Sequence, residues 1–234
     1  SIFHPEEEFS IFHKLNFTRT VGGREWLRKF FSEPHDSLDK IKGTQRIIRT
    51  FMEHVKDWPT GISNGTILVM EKFLDYALDS ISEAPASLNN LTYKWLHSED
   101  YSMLKYSLTH FADFFRGLKN IAELLEGVEL PPAIKIYIDR INGILREEPL
   151  QKMANTEPHK KFSHRQNLYF GYHLRGRYKT NTFELIDIYS RLDAWYSMAV
   201  AVKTYQLSFP EFVEQQTPLV DAKGLYHILL PQPV

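Results

Sequence analysis

The sequence predicts an all-α fold, and three features of its patterning support that class. Helical periodicity covers most of the 234 residues, two segments carry apolar seams long enough for helices of about 35–40 Å, and strand character is confined to the C-terminal end. The hydrophobic fraction of 43% and the aromatic fraction of 14% suffice for a buried core, so a globally disordered chain is excluded. We therefore expect an elongated helical bundle with two long antiparallel helices.

The first long helix is predicted over residues 99–126. Its seam alternates spacings of four and three residues over three heptads, which is typical of a helix lying nearly parallel to a partner. The seam residues are Leu104, Leu108, Phe111, Phe115, Leu118, Ala122 and Leu125. Ser98 is placed to begin this helix and Gly127 to end it.

The second long helix is predicted over residues 182–205, and we expect it to be the antiparallel partner of the first. Its seam consists of Leu185, Ile188, Leu192, Trp195, Ala199 and Val202. Shorter helices are predicted over residues 6–15, 23–32, 36–55, 67–81 and 134–145. Residues 218–221 and 225–230 can be extended, so the fold class admits one short C-terminal strand.

These elements suggest three regions. Residues 1–98 form a helical core subdomain, residues 99–213 hold the long helices with a basic connecting segment, and residues 214–234 begin a further domain. The apolar and proline-rich end of the sequence leads us to expect a piece of a longer protein.

Composition excludes several kinds of chemistry. The chain has 28 Lys and Arg against 29 Asp and Glu, so it is not a uniform polycation, and it has no cysteine for disulfides, thiolate zinc sites or a thiol nucleophile. It contains no phosphate-binding GxxxxGK[ST] loop, so we expect this chain by itself not to hydrolyse a nucleotide. The lack of cysteine fits a reducing compartment, and we expect a cytoplasmic protein.

Positive charge is concentrated between residues 151 and 179, a stretch that contains seven Lys and Arg residues and one carboxylate, that of Glu157. Clustered cations can bind a phosphate backbone, and interleaved aromatic residues such as Tyr169 and Tyr172 can stack on bases. The alternative is a solvated connection whose aromatic rings pack beneath it. The candidate DNA contacts are Lys160, Lys161, Arg165, Arg175, Arg177 and Lys179.

We find no catalytic or metal-binding pattern. His159 and His164 are five residues apart and lack the HExxH arrangement of a zinc site. Ser197, His173 and Asp193 contain the residue types of a triad, but no nucleophile-elbow GxSxG frames any serine.

Three stretches follow one another along the chain. The first holds Asn16-Phe17-Thr18-Arg19-Thr20 with Gly22-Gly23-Arg24, the second holds Leu192-Asp193 with Ser197, Ala199 and Ala201 followed by Phe209-Pro210-Glu211, and the third is Gly224-Leu225-Tyr226-His227. In this order they resemble the core of the MutS family of DNA mismatch-repair ATPases. Ile228 stands where that family usually has proline.

The resemblance implies a non-catalytic core and lever region that couples DNA binding to an ATPase domain. It implies no cofactor in this chain, whereas the parent protein would be a homodimeric, DNA-dependent ATPase using ATP and Mg²⁺. The partners implied are DNA, bound without sequence preference, and the parent's own ATPase domain, of which residues 214–234 would be the start. Mismatch recognition is not implied, because nothing before residue 9 supplies the mismatch-reading domain. A helical protein-interaction module that docks acidic partners is the alternative, and a membrane-surface module is a third.

Overall fold

A computed structural model describes residues 2–6, 9–75, 98–213, 217 and 219–230 of the chain. These residues form helices, turns and loops, and no strand occurs among them. The predicted all-α fold is confirmed.

The long helices follow the sequence periodicity. In chain order they are α1 (Ile11–Leu15), α2 (Val21–Ser32), α3 (Leu38–His54), α4 (Asn64–Asp75), α5 (Ser98–Leu124), α6 (Pro132–Leu145), α7 (Glu148–Ala154), α8 (His164–Arg175) and α9 (Lys179–Tyr205). The end of the predicted helix 67–81, from residue 76 onward, lies outside the described residues. The first helix is shorter than predicted, since Ser10 caps it by accepting a hydrogen bond from the His13 backbone N–H at 3.0 Å.

Two helices, α7 and α8, were not predicted from the sequence. Helix α8 and the end of α7 lie in the basic segment, which was expected to be a connection. The start of α8 is fixed by a capping box, in which the Ser163 hydroxyl accepts from the Gln166 backbone N–H and the Gln166 side chain accepts from the Ser163 N–H. This Ser-x-x-Gln spacing is the signal that would have found it.

The short C-terminal strand is a correction. Residues 219–221 and 225–227 are irregular, and the Leu230 backbone N–H closes a turn onto the His227 carbonyl at 2.9 Å. A strand needs a neighbour to pair its backbone groups, and no residue in the described part of the chain provides one. Residues 218 and 231–234 lie outside the described part.

The chain divides into two compact units. The first unit comprises residues 1–56 and 190–234, and the second comprises residues 57–189. Helix α9 therefore contributes its first turns to the second unit and its remaining turns to the first. The division at residues 98 and 213, and the antiparallel pairing of the two long helices, stay predictions.

The core of the second unit is built around α5. Leu104, Leu108, Phe111, Phe115 and Leu118 are completely buried, as the seam predicted. The Phe111 ring meets the Phe73 ring of α4 edge-on at 5.4 Å. Gly127 follows the helix with φ +75°, a conformation that favours glycine and ends α5 where the sequence placed its end.

In the first unit, Phe12 and Leu27 pack against Ala194 of α9. Trp195 was predicted to be buried but is only half-buried. Its ring stacks on the Phe30 ring of α2 at 4.3 Å.

Candidate nucleic-acid interface

The basic segment, residues 151–179, is formed by the last four residues of α7, a loop, α8, a turn at residues 176–178 and the first residue of α9. The loop contains His159 with φ +64°, a left-handed conformation that turns the chain before α8. Apolar residues of α8, including Leu168, Phe170 and Leu174, are buried. The segment is therefore a structured part of the second unit, with its cations distributed over helix ends and a turn.

Three of the predicted contact residues are exposed and close together in the chain. Lys160 and Lys161 lie in the loop, and Arg165 lies in the first turn of α8. Within the described residues, none of these three side chains makes a hydrogen bond or an ion pair. The first turn of α8 carries no acidic residue, so nothing in it offsets their charge.

The other three predicted contact residues are engaged within the second unit. Arg177 forms an ion pair with Glu147 at 3.2 Å, and Lys179 donates to the Leu74 carbonyl at 2.8 Å and lies 3.3 Å from the Asp75 carboxylate. Arg175 is half-buried, with its guanidinium 5.9 Å from the Phe73 ring centroid. These contacts link α8 and α9 to α4 and to the start of α7.

Lys152, the remaining helical cation of the segment, is paired with Glu148 one turn earlier on α7. This hydrogen bond lowers the pKa of the Glu148 carboxyl and raises the pKa of the Lys152 amine. Both groups are therefore charged at neutral pH and largely offset each other. The unbalanced charge of the segment is concentrated in Lys160, Lys161 and Arg165.

The aromatic residues of the segment pack chiefly on one another. Tyr169 and Tyr172 both contact His173, with ring centroids 4.5 and 5.3 Å apart, and both are half-buried. Phe162 meets Phe170 edge-on at 5.0 Å. This packing indicates that the rings support α8 structurally rather than serve as a platform on which bases stack.

The motif residues near both ends of the chain form one buried network in the first unit. The Asp193 carboxylate accepts from the backbone N–H groups of Arg19 at 3.0 Å and Thr20 at 2.9 Å, and from the Thr20 hydroxyl at 2.8 Å. The Ser197 hydroxyl accepts from the Phe17 N–H at 2.8 Å and donates to the Leu15 carbonyl at 3.1 Å. These contacts fix the loop before α2 against α9.

Burial raises the pKa of the Asp193 carboxyl, because charge is costly away from water. The hydrogen bonds from Thr20 and Arg19 act in the opposite direction and lower the pKa, but burial is the larger influence. Asp193 and Ser197, two residues with catalytic side-chain types, are thus both engaged in holding backbone.

A cavity of about 670 Å³ lies in the second unit between the end of α5, the following loop, α6 and α7. Its charged side chains are of both signs, and two pairs of them neutralise each other: Lys119 with Glu123 at 3.4 Å and Lys135 with Asp139 at 2.8 Å. This balance favours no particular class of ligand.

Over the described part of the chain, no three His, Asp or Glu side chains are grouped so that they could hold a metal ion. None of the helices described is both long enough and apolar enough to cross a membrane.

Compared with known protein families, curated proteins and solved structures, the chain matches none.

Proposed function

We propose that this chain is the non-catalytic core and lever region of a MutS-like ATPase, and that it contacts DNA through Lys160, Lys161 and Arg165. The observation that carries the DNA contact is the exposure of these three cations without an ion pair in the described part of the chain. Charge that serves no internal contact is free to neutralise phosphates.

The MutS-like part of the proposal is supported by the way the motifs fit together. The stretches around Thr20 and Asp193 were singled out as separate motifs, and they contact each other directly. Two helices of 27 residues, α5 and α9, provide rigid elements of about 40 Å. Helices of this length can carry strain between distant sites, which is what a lever requires.

The parent protein, on this proposal, is a cytoplasmic homodimer that binds ATP and Mg²⁺ in a separate ATPase domain. This chain contributes no phosphate-binding loop, so its part is to couple DNA contact to that domain. The contact is made to phosphates, so it is independent of sequence and weakens steeply with salt.

The proposal is tested by the salt dependence of binding to labelled duplex DNA. Replacing Lys160, Lys161 and Arg165 by Ala should weaken binding and flatten the slope of log K against log salt by up to about 3 units. The matched control replaces Lys40, Lys119 and Lys135, three cations that are each paired with a carboxylate one turn away. The control should bind like the wild-type chain; equal losses in the two triple variants would refute a contact located at residues 160–165.

The packing of Tyr169 and Tyr172 favours a second candidate, a protein-interaction module for acidic partners. Because the rings of Tyr169 and Tyr172 pack on His173, binding depends on the cations alone. A carboxylate-rich protein surface can pair with these cations as well as DNA can. Binding to polyglutamate at a salt concentration that abolishes DNA binding would support this candidate over the first.

A further inference from the structure

Helix α3 carries a second group of cations, on the side opposite its buried face. Ile47, Ile48 and Phe51 face the core of the first unit. A surface cavity of about 420 Å³ lies along the other side, lined by Asp39, Lys42, Gln45, Arg46 and Arg49. These positions recur at helical spacing, so they occupy one stripe of the helix.

The three cations of this stripe, Lys42, Arg46 and Arg49, are here called the α3 cationic face. All three are exposed, and within the described residues none of them is part of an ion pair. Along the helix axis, Lys42 and Arg46 are about 6 Å apart and Arg46 and Arg49 about 4.5 Å apart, so the three cations form a row about 10 Å long.

The C-terminal segment after α9 holds one end of this row in place. The Arg49 guanidinium lies 4.3 Å from the centroid of the Phe209 ring, and the Gln45 amide donates to the Pro210 carbonyl at 3.0 Å. A guanidinium fixed against an aromatic ring loses less conformational freedom on binding, and its N–H fork suits phosphate oxygens. The row is therefore partly pre-organised for an anion.

We propose that the α3 cationic face binds the phosphates of a nucleic-acid strand, as a contact separate from Lys160, Lys161 and Arg165. This proposal does not rest on the MutS-like function, because the row, its exposure and its support by Phe209 all belong to the first unit. Three cations in a row about 10 Å long can contact several consecutive phosphates of one strand.

The lining of the cavity favours a nucleic acid over an acidic peptide. All five lining side chains are polar or charged, so the site offers no apolar pocket for a peptide side chain. Phosphates are bound by clustered cations and need no apolar pocket. Asp39, the one carboxylate among the lining residues, lies in the first turn of α3 and repels an anion there. Removing its charge should therefore strengthen the binding of an anion.

The experiment measures binding of the full chain to a labelled single-stranded oligonucleotide at several salt concentrations. Replacing Lys42, Arg46 and Arg49 by Ala should weaken binding about tenfold or more and flatten the salt slope by about 2 units. The double variant of Lys42 and Arg46 leaves the Arg49–Phe209 contact intact. It should flatten the salt slope by about two thirds as much as the triple variant does. Asp39→Asn should strengthen binding.

The matched control is Lys40→Ala, on the same helix but outside the cationic face and paired with Asp36 at 2.7 Å. It should bind like the wild-type chain. Circular dichroism of each variant checks that α3 remains folded.

Three results would overturn the proposal: wild-type binding by the triple variant, weaker binding by Asp39→Asn, or polyglutamate bound more tightly than the oligonucleotide through the same three cations. The last would identify a surface for an acidic protein. The variant of Lys160, Lys161 and Arg165 is measured in the same assay to separate the two sites. If only one of the two triple variants loses binding, the site formed by its cations is supported and only the other proposal is rejected.

Discussion

Thr20 and Asp193, separated by 173 residues in the chain, are joined by two hydrogen bonds inside the first unit. The Thr20 hydroxyl donates to the Asp193 carboxylate and accepts from the Gly23 backbone N–H at 3.0 Å, so it caps α2 and ties that cap to α9 at once. A single hydroxyl thus links the start of one helix to the middle of another, and the stability of the first unit should depend on it.

Replacing Thr20 by Val tests this link. The change keeps the side-chain volume but removes the cap of α2 and one donor to the buried carboxylate, so the free energy of unfolding should fall by about 1–3 kcal/mol. Thr109→Val is the control, because the Thr109 hydroxyl is exposed and donates only to the Lys105 carbonyl one turn earlier. Chemical denaturation of both variants measures the difference; equal effects would contradict a special role for Thr20.

The pKa of Asp193 predicts a dependence of stability on pH. Because burial raises this pKa above the ordinary value of 3.8, the folded chain holds the proton to a higher pH than the unfolded chain does. The contribution of Asp193 to stability should therefore rise as the pH falls through the folded pKa towards 3.8, and it should be lowest at neutral pH.

The measurement compares wild type with Asp193→Asn, which cannot titrate. The difference in unfolding free energy, wild type minus variant, should grow in favour of the wild type as the solution is acidified. A difference that shrinks on acidification would show that the donors from Arg19 and Thr20 outweigh burial and hold the pKa below its ordinary value.

Gly23 and Gly43 form a matched pair of helical glycines. A Cβ atom at Gly23 would lie 2.1 Å from Asp193 Oδ2 and 2.9 Å from its Cβ, whereas nothing lies within 4 Å of a Cβ at Gly43. Gly23→Ala should destabilise the chain by several kcal/mol, on the order of the larger single-substitution effects. Gly43→Ala should stabilise it by roughly 0.5–1 kcal/mol, because alanine favours the helix. Thermal unfolding of the two variants should shift in opposite directions.

Phe111 tests the core of the second unit. It is fully buried between Phe73 and Phe115, so Phe111→Ala should lower the free energy of unfolding by about 3–5 kcal/mol. Tyr106→Ala, on the same helix but 59% exposed, should cost far less. An unchanged transition midpoint in the Phe111 variant would contradict the central position of α5.

Much of the fold follows from the helical periodicity of apolar residues and from the glycine and proline residues that end helices. The alternating seam from Leu104 to Leu125 predicted α5 because an apolar stripe has to be buried, and the glycine and prolines after it marked its end. Helix α8 was not predicted, although the Ser163–Gln166 spacing of its capping box marks its start. Trp195 was misjudged because spacing identifies the side of a helix but not how far its neighbours extend over it.

Periodicity and composition predict a helical chain, the positions of its long helices, and a concentration of positive charge between residues 151 and 179. Which of those cations are available depends on the fold. Arg177 and Lys179 form ion pairs with Glu147 and Asp75, whereas Lys160, Lys161 and Arg165 form none within the described residues. The fold also joins the motifs of Thr20 and Asp193 into one network and assembles the α3 cationic face against Phe209. The physical reason is that periodicity arises from burial within one helix, whereas charge pairing and buried hydrogen bonds depend on which distant residues the fold brings within about 3 Å.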